Sequence, residues 1–370
     1  MKITVTYIVS NIDKALTFEW AAELLDKEKL DLSFILLNPG DSALEQHCKR
    51  LGVPVWRITY RSKKDLPWAF IRLWWHLLTK RPHIVHCHLF DGYLIGISAA
   101  WCAFVCTRIY TRHNATYHRD YYPGMVKFDS MTNQMASVVV ATTENVKRIL
   151  MREEGVPEHK IRTIHYGFEL EKFVNPPQYE IDELAAKYGT KEKYPVVGLI
   201  ARYLDLKGLQ YAIPAWLRLR KEYPRAHLIL ANARGPYGDE VRKMLTSVSE
   251  TDYTEIPFEK NIYALHHLFD IHVHAPINPE IEAFGQTYVE ALASSTPSVF
   301  TMSGVAREFI HHERNALVVD FENSEQIYEA MKRFLTDKRL GRKLASQGKQ
   351  DVQRFGVGRM ISKLEALYLE

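Results

Sequence analysis

The stretch that decides the reading of this chain is Asp270-Ile-His-Val-His-Ala275, followed by Pro276-Ile-Asn-Pro279-Glu and then Glu282-Ala-Phe-Gly-Gln-Thr-Tyr-Val-Glu290. Apolar residues alternate in the first run, the second is turn material, and Tyr288, Val289, Ala291, Leu292 and Ala293 continue the third as an apolar helix. The helix must stop near Ser294-Ser-Thr-Pro297, because a residue before proline is pushed out of helical geometry. A strand, a loop and a helix in that order form the unit of an open α/β sheet. Ligands of such sheets bind at the carboxyl ends of strands, and the first turn of the next helix offers unpaired N–H groups to an anion. Gly285 and Gln286 fall at that helix start, and Glu282 and Glu290, with seven residues between them, are too far from one another to share one job.

Working outward, strand-like and helix-like segments alternate along the chain. Residues 3–9, 33–37, 53–58, 83–87, 108–111 and 138–141 read as strands of a first unit; 196–200, 228–231, 271–274, 298–301 and 316–319 read as strands of a second. Regular alternation predicts parallel sheets with helices on both faces. The pattern lapses at Asn175-Pro-Pro177 and resumes at Tyr194, which places the domains at 1–175 and 190–352. Three helices, at 324–335, 340–352 and 357–369, end the chain without strands between them. The last, within 353–370, is expected to cross back to the first domain. The predicted fold class is α/β, two doubly wound Rossmann-like domains facing across a cleft that takes one substrate on each wall.

Composition narrows the function. At 370 residues with 46% apolar content the chain is too long for one core and too apolar to be disordered, and no apolar run could cross a bilayer. The first strand is followed at once by Asn11, Asp13 and Lys14, unlike a signal peptide, so a cytoplasmic protein is expected. Cys48, Cys87, Cys102 and Cys106 lack metal-type spacing and are expected as buried, reduced thiols. Charge is uneven: 23 basic against 18 acidic residues through Asn175, and 25 against 26 thereafter. Seven of the basic residues lie between Arg57 and Arg81 beside one acid, Asp65, interleaved with Trp68, Phe70, Trp74 and Trp75. That composition suits a helix resting on an anionic membrane surface, at the inner face of the membrane. The other reading is that Ile71, Trp74, Trp75 and Leu78, at helical spacing, pack on the sheet. Nucleic acid is excluded as a partner for want of a binding motif.

A second chemical signal follows the strand at 196–200, where Arg202 and Lys207 leave one strand end ahead of Gly208. A planar guanidinium and a point-like ammonium together suit a diphosphate better than a single carboxylate. Another strand end enters the loop Asn232-Ala-Arg-Gly235-Pro236.

These elements, in this order, resemble the family-4 retaining glycosyltransferases of the GT-B fold, the group 1 type. The Arg202/Lys207 pair and the Glu282–Glu290 motif carry the resemblance. So do Pro82-His-Ile-Val-His-Cys-His88, the run from Thr142 to Arg148, the segment from Ile161 to Phe173, and Ser303-Gly-Val-Ala-Arg-Glu308, where Ser replaces the family's first Gly. Arg307 stands where proline or an apolar residue is common, with no physical account of it. The resemblance implies that Arg202 and Lys207 act on the donor's diphosphate as electrostatic catalysts. It further implies that Glu282 accepts from the sugar's hydroxyls, Glu290 from the ribose, and that backbone N–H groups around Phe284, Gly285, Gln286 and Thr287, with Gly235 nearby, complete the donor site. His113 falls where the family places a histidine beside the transferred sugar. The family's glycine-rich loop is replaced by Ser10-Asn-Ile-Asp-Lys14; Ser10, Asn11, Lys14 and His88 are the candidate acceptor-side residues. His83, His86 and His88 lack a partnering acid, so no metal site is expected, and the resemblance implies no catalytic metal or other cofactor.

The implied function is transfer of a sugar, from a UDP-sugar by preference, to a glycan, lipid-linked or small-molecule acceptor in cell-envelope polysaccharide or glycolipid synthesis. A nucleotide-sugar epimerase or hydrolase, and a noncatalytic nucleotide-sugar-binding protein, are the alternatives left open by the sequence.

Overall fold

The computed structural model describes residues 2–370. The chain divides into two compact units, one running to Gly167 and completed by Val357–Glu370, the other spanning Phe168–Gly356.

In the first unit, strands β1 (Ile3–Ser10), β2 (Leu30–Asn38), β3 (Val55–Thr59), β4 (Ile84–His88), β5 (Thr107–Arg112), β6 (Val138–Ala141) and β7 (Ile161–Thr163) form a sheet of order β3-β2-β1-β4-β5-β6-β7, parallel throughout. The order reverses between β1 and β4, where Val9 is paired with His88. Residues 5–10 are buried without alternation, as in a strand covered on both faces by crossover helices. The helix Val357–Leu369 packs Met360, Ile361, Leu364, Leu367 and Tyr368 into this core. Tyr368 Oη lies 2.6 Å from both Tyr7 Oη and His86 Nδ1, which fastens the end of the chain under the β1/β4 junction.

The second unit repeats the plan with β8 (Val196–Ile200), β9 (His227–Ala231), β10 (Tyr253–Ile256), β11 (Ile271–His274), β12 (Ser298–Phe300) and β13 (Leu317–Val318), ordered β10-β9-β8-β11-β12-β13 and parallel. Its reversal point lies between β8 and β11. Val197, Leu199, Val273 and Val299 meet Trp216, Leu219 and Met331 in one apolar core. The edge strands β7 and β10 were not among the expected strands: β10 reads Tyr-Thr-Glu-Ile and is half-buried over its first three residues, so its apolar signal is weak.

Two expectations are corrected. The helix Leu66–Lys80 buries Ala69, Leu73 and Leu77, whereas Ile71 and Trp75, assigned to a sheet-packing face, are exposed along with Trp68. The aromatic residues outnumber the positions that the helix can turn inward, and the small and branched residues at 69, 73 and 77 fit the closer approach. All four cysteines are free, with Cys48 and Cys87 buried as expected, but Cys106 is exposed and Cys102 half-buried. Among the described residues no helix is long and apolar enough to cross a membrane.

Candidate active site

In the second unit the loops leaving β8 and β11 come together at the reversal point. Gly208 is in a left-handed conformation (φ 72°), and a Cβ there would lie 1.7 Å from the carbonyl oxygen of Ala275, the first residue after β11. Only glycine permits that approach. Ile277 N–H donates to Leu206 C=O at 3.2 Å and ties the loops further. The β11 loop is shaped by Asn278, whose side-chain oxygen accepts from the N–H groups of Glu280 and Ile281, and by Thr301 Oγ1 donating to Pro276 C=O at 2.7 Å.

These constraints bring Lys207 to Glu282. Lys207 Nζ stands 2.6 Å from Glu282 Oε1, with His274 Nε2 3.3 Å from the same oxygen. Burial alone would raise the Glu282 carboxyl; the Lys207 charge and the His274 contact outweigh it and hold the group well below the usual carboxylate range. Glu282 N–H donates to Ser303 Oγ, and Val305 N–H to Phe284 C=O, so the Ser303–Val305 turn braces the loop from behind. The Phe284 ring is core, between Phe168 and Phe355, which leaves only its backbone for a ligand.

Gly285 (φ 85°) precedes the helix Gln286–Ala293; Tyr288 N–H donates back to Gly285 C=O at 3.2 Å, and the amides of Gln286 and Thr287 at the helix start have no intrahelical acceptor. Gln286 is exposed, and Thr287 Oγ1 is buried with no hydrogen-bond partner. Glu290, one turn on, sits 3.6 Å from Nε2 of the fully buried His266. Arg202 is exposed and makes no ion pair among the described residues. Gly235 packs on the backbone of Tyr203, next in sequence to Arg202.

Thus Lys207, Glu282, residues 284–287 and Glu290 share one end of one sheet. His266 and His274 were missed as partners of the two carboxylates. The alternation in Ile271–His274 was visible, but nothing in the sequence paired those histidines with the acids. His272, between them, is buried and held neutral, its pKa pushed well down by desolvation.

The remaining candidates lie in the first unit. Ser10 ends β1 and its Oγ accepts from Gly92 N–H at 2.9 Å. Asn11 takes φ 50°, the left-handed conformation that a glycine-rich loop would supply and that asparagine tolerates, and its amide reaches Asp91 at 3.3 Å. Lys14 is exposed. His113 follows β5; its Nδ1 is 2.5 Å from Tyr166 Oη and its Nε2 3.3 Å from His88 Nδ1, so both ring nitrogens have partners inside the unit. Burial pushes the His113 pKa down to about 4, leaving the ring neutral at pH 7. His88 Nε2 is buried without a partner, beside a cavity of about 30 Å³ lined also by Tyr7, Phe18, His113 and Tyr166. That is space for one water molecule, not a sugar. His86 is occupied by Tyr368 and Thr111, His83 by Thr4, and among the described residues no three His, Cys, Asp or Glu side chains are grouped as metal ligands.

Comparison with known proteins matches both units. Residues 180–351 match the family described as "Glycosyl transferases group 1", and residues 18–172 the family described as "Glycosyltransferase Family 4". The chain is 22% identical over 304 residues to a mannosylfructose-phosphate synthase of Agrobacterium fabrum, covering 77% of this chain and 65% of that one. It is 24% identical over 190 residues to a GDP-mannose-dependent alpha-(1-6)-phosphatidylinositol monomannoside mannosyltransferase of Mycobacterium tuberculosis, covering 49% and 48%. The matches thus span about half to two thirds of those relatives' length. Among solved structures, Anabaena HepE in complex with UDP and glucose superposes with a TM-score of 0.84 at 18% identity, over 100% of both chains.

Proposed function

Because the chain belongs to the family-4, group 1 glycosyltransferases and has the GT-B type of fold, we propose that it is a retaining, metal-independent transferase. It moves a sugar from a nucleotide-diphosphate sugar, a UDP-sugar by preference, to a glycan, lipid-linked or small-molecule acceptor of the cell envelope. The observation that carries the reading is Lys207 held on Glu282 at the carboxyl ends of β8 and β11, ahead of a helix start. HepE, with UDP and glucose bound, supports the choice of donor. The two relatives, named for a sugar phosphate and a phosphatidylinositol glycolipid, support the range of acceptors.

As the bond between the sugar and the diphosphate breaks, negative charge grows on the leaving phosphate. Lys207 and Arg202 face that charge together with the first-turn amides of the 286–293 helix, and side-chain cations take the place of a metal. Glu282 accepts from the sugar's hydroxyls and Glu290 from the ribose. The acceptor attacks from the face that the diphosphate leaves, so configuration is retained. His113, neutral at pH 7, carries no charge at the acceptor, and hydrogen-bonds it only by exchanging its contact with Tyr166 or His88.

The test is a thermal-shift panel of nucleotide sugars, in which the donor raises the melting point because it binds only the folded chain. Transfer to lipid-linked and glycan acceptors is then followed by nucleotide release and by the anomeric configuration of the product. Glu282→Gln and Lys207→Met should each lower release by about a hundredfold or more. If no nucleotide sugar shifts the melting point, or if Lys207→Met turns over normally, the assignment fails.

A further inference from the structure

We infer that the outer face of the helix Leu66–Lys80, together with the end of the helix Phe90–Cys102, is a docking surface for an anionic lipid bilayer. Five large apolar side chains stand out of the protein here: Trp68 is 61% exposed, Ile71 50%, Trp75 60%, Trp101 55% and Phe104 85%. The first three are spaced i, i+3 and i+7 and form one stripe along the helix. Trp74 joins the stripe to the second helix, because its Nε1 donates to Cys102 C=O at 3.2 Å while its ring lies edge-on to Trp75 at 6.3 Å.

The patch is held in place from below. Phe104 N–H donates to Trp101 C=O, and the Arg108 guanidinium donates to the carbonyls of Val105 and Cys106, which fixes the turn that displays Phe104. Monomeric folds rarely leave so much contiguous aromatic surface in water without a use for it.

Charge identifies the occupant. Arg61 and Lys64 lie before one end of the stripe and Lys80 and Arg81 at the other, all exposed and without an ion pair among the described residues. Between Leu66 and Arg119 the only carboxylate is Asp91, and it is paired with Lys63 at 3.2 Å. Asp65 is spent on the backbone N–H groups of Arg61 and Ser62. Tryptophans between unpaired cations match a headgroup layer, where indole rings sit at the boundary and phosphates answer the cations without fixed positions. The stripe from Trp68 to Trp75 is about 10 Å long, enough to lie in the interface and far too short to span it.

The inference stands independently of the donor chemistry, and the experiment reads the two separately. The full chain is sedimented with phosphatidylcholine vesicles with and without phosphatidylglycerol. Binding is expected only with phosphatidylglycerol, and to weaken as salt is raised. The triple variant W68A/W75A/F104A should bind about tenfold more weakly or worse, and Lys64→Glu with Arg81→Glu should abolish the preference for phosphatidylglycerol. Both variants should keep the melting point and its nucleotide-sugar shift, because every altered side chain points into solvent. Failure of the wild-type chain to bind anionic vesicles, equal binding to neutral ones, or a triple variant that binds normally overturns the proposal. A wild-type dimer that the triple variant dissociates also overturns it, by assigning the face to a second copy of the chain.

Discussion

Lys207 Nζ lies 2.6 Å from Glu282 Oε1, so the cation assigned to the diphosphate and the carboxylate assigned to the sugar neutralise each other before any donor arrives. Their side chains are only 16% and 9% exposed, and breaking such a pair from one side leaves a buried charge without its partner. Lys207→Ala should therefore cost about 3 kcal/mol of stability as well as activity. Glu282→Gln, which keeps the shape and removes the charge, should cost less in urea unfolding while still lowering turnover by about a hundredfold or more. If Lys207→Ala unfolds at the wild-type urea midpoint, the pair is not coupled as the geometry requires.

Gly208 is what lets that pair form. A methyl group at this position would collide with the Ala275 carbonyl at 1.7 Å and would also sit on a residue at φ 72°. Gly208→Ala should destabilise by about 1–3 kcal/mol from the backbone conformation alone, and more once the β8 and β11 loops part. The loss of donor binding should exceed the loss of stability, because Lys207 precedes the displaced residue. Thermal melting and a nucleotide-sugar titration on one preparation separate the two effects.

The sequence displayed the unit plan because strands buried on both faces are written as continuous apolar runs, as in residues 5–9 and 228–230, and those cannot be mistaken for surface. Lys207, Glu282 and Glu290 were legible for a related reason: Lys207 and Glu282 lie between a strand end and the next helix, and Glu290 lies early in the helix after Glu282, so sequence order fixes them at one end of the sheet. The partners of those residues were not legible. His274 reaches Glu282 from eight residues away, His266 reaches Glu290 across 24, and Tyr166 reaches His113 across 53; each pairing is made by how loops and helices fold back at the sheet, which no local pattern states. The exposed stripe on the helix Leu66–Lys80 was misread in part because hydrophobic periodicity reports a face without saying whether protein covers it.

Among the described residues Arg112 is the most deeply buried cation of the first unit, 2% exposed, and its guanidinium spans Asp129 at 2.8 Å and Glu154 at 2.6 Å. His118 and Tyr93 complete the shell of Asp129. Since Arg112 immediately precedes His113, the cluster fixes where the His113 backbone leaves β5. Arg112→Met should lose about 3–5 kcal/mol, because two carboxylates are left without their cation. The double change Arg112→Met with Asp129→Asn should recover part of it; a double variant no more stable than the single would show that the loss comes from packing and not from charge.

Acid should weaken the fold well before carboxylates titrate. Burial pushes the pKa of His86 down to about 3, and that of His113 and His227 down to about 4, from an ordinary 6.5. Lowered folded-state values mean that the unfolded chain binds these protons first, so stability is fully present above pH 6.5 and is lost as pH falls from there toward 4. Each histidine contributes at most about 1.4 kcal/mol per pH unit in that window. The unfolding free energy should therefore decline between pH 6.5 and 4.5, while Glu282, held low by the Lys207 charge, and Asp129, held low by the His118 hydrogen bond and the Arg112 charge, add to the decline only at lower pH. His227→Gln should reduce the slope by one proton, since glutamine does not titrate. A wild-type curve flat from pH 7 to 5 would mean that these rings have reached solvent and that the junctions at β4, β5 and β9 are looser than their burial implies.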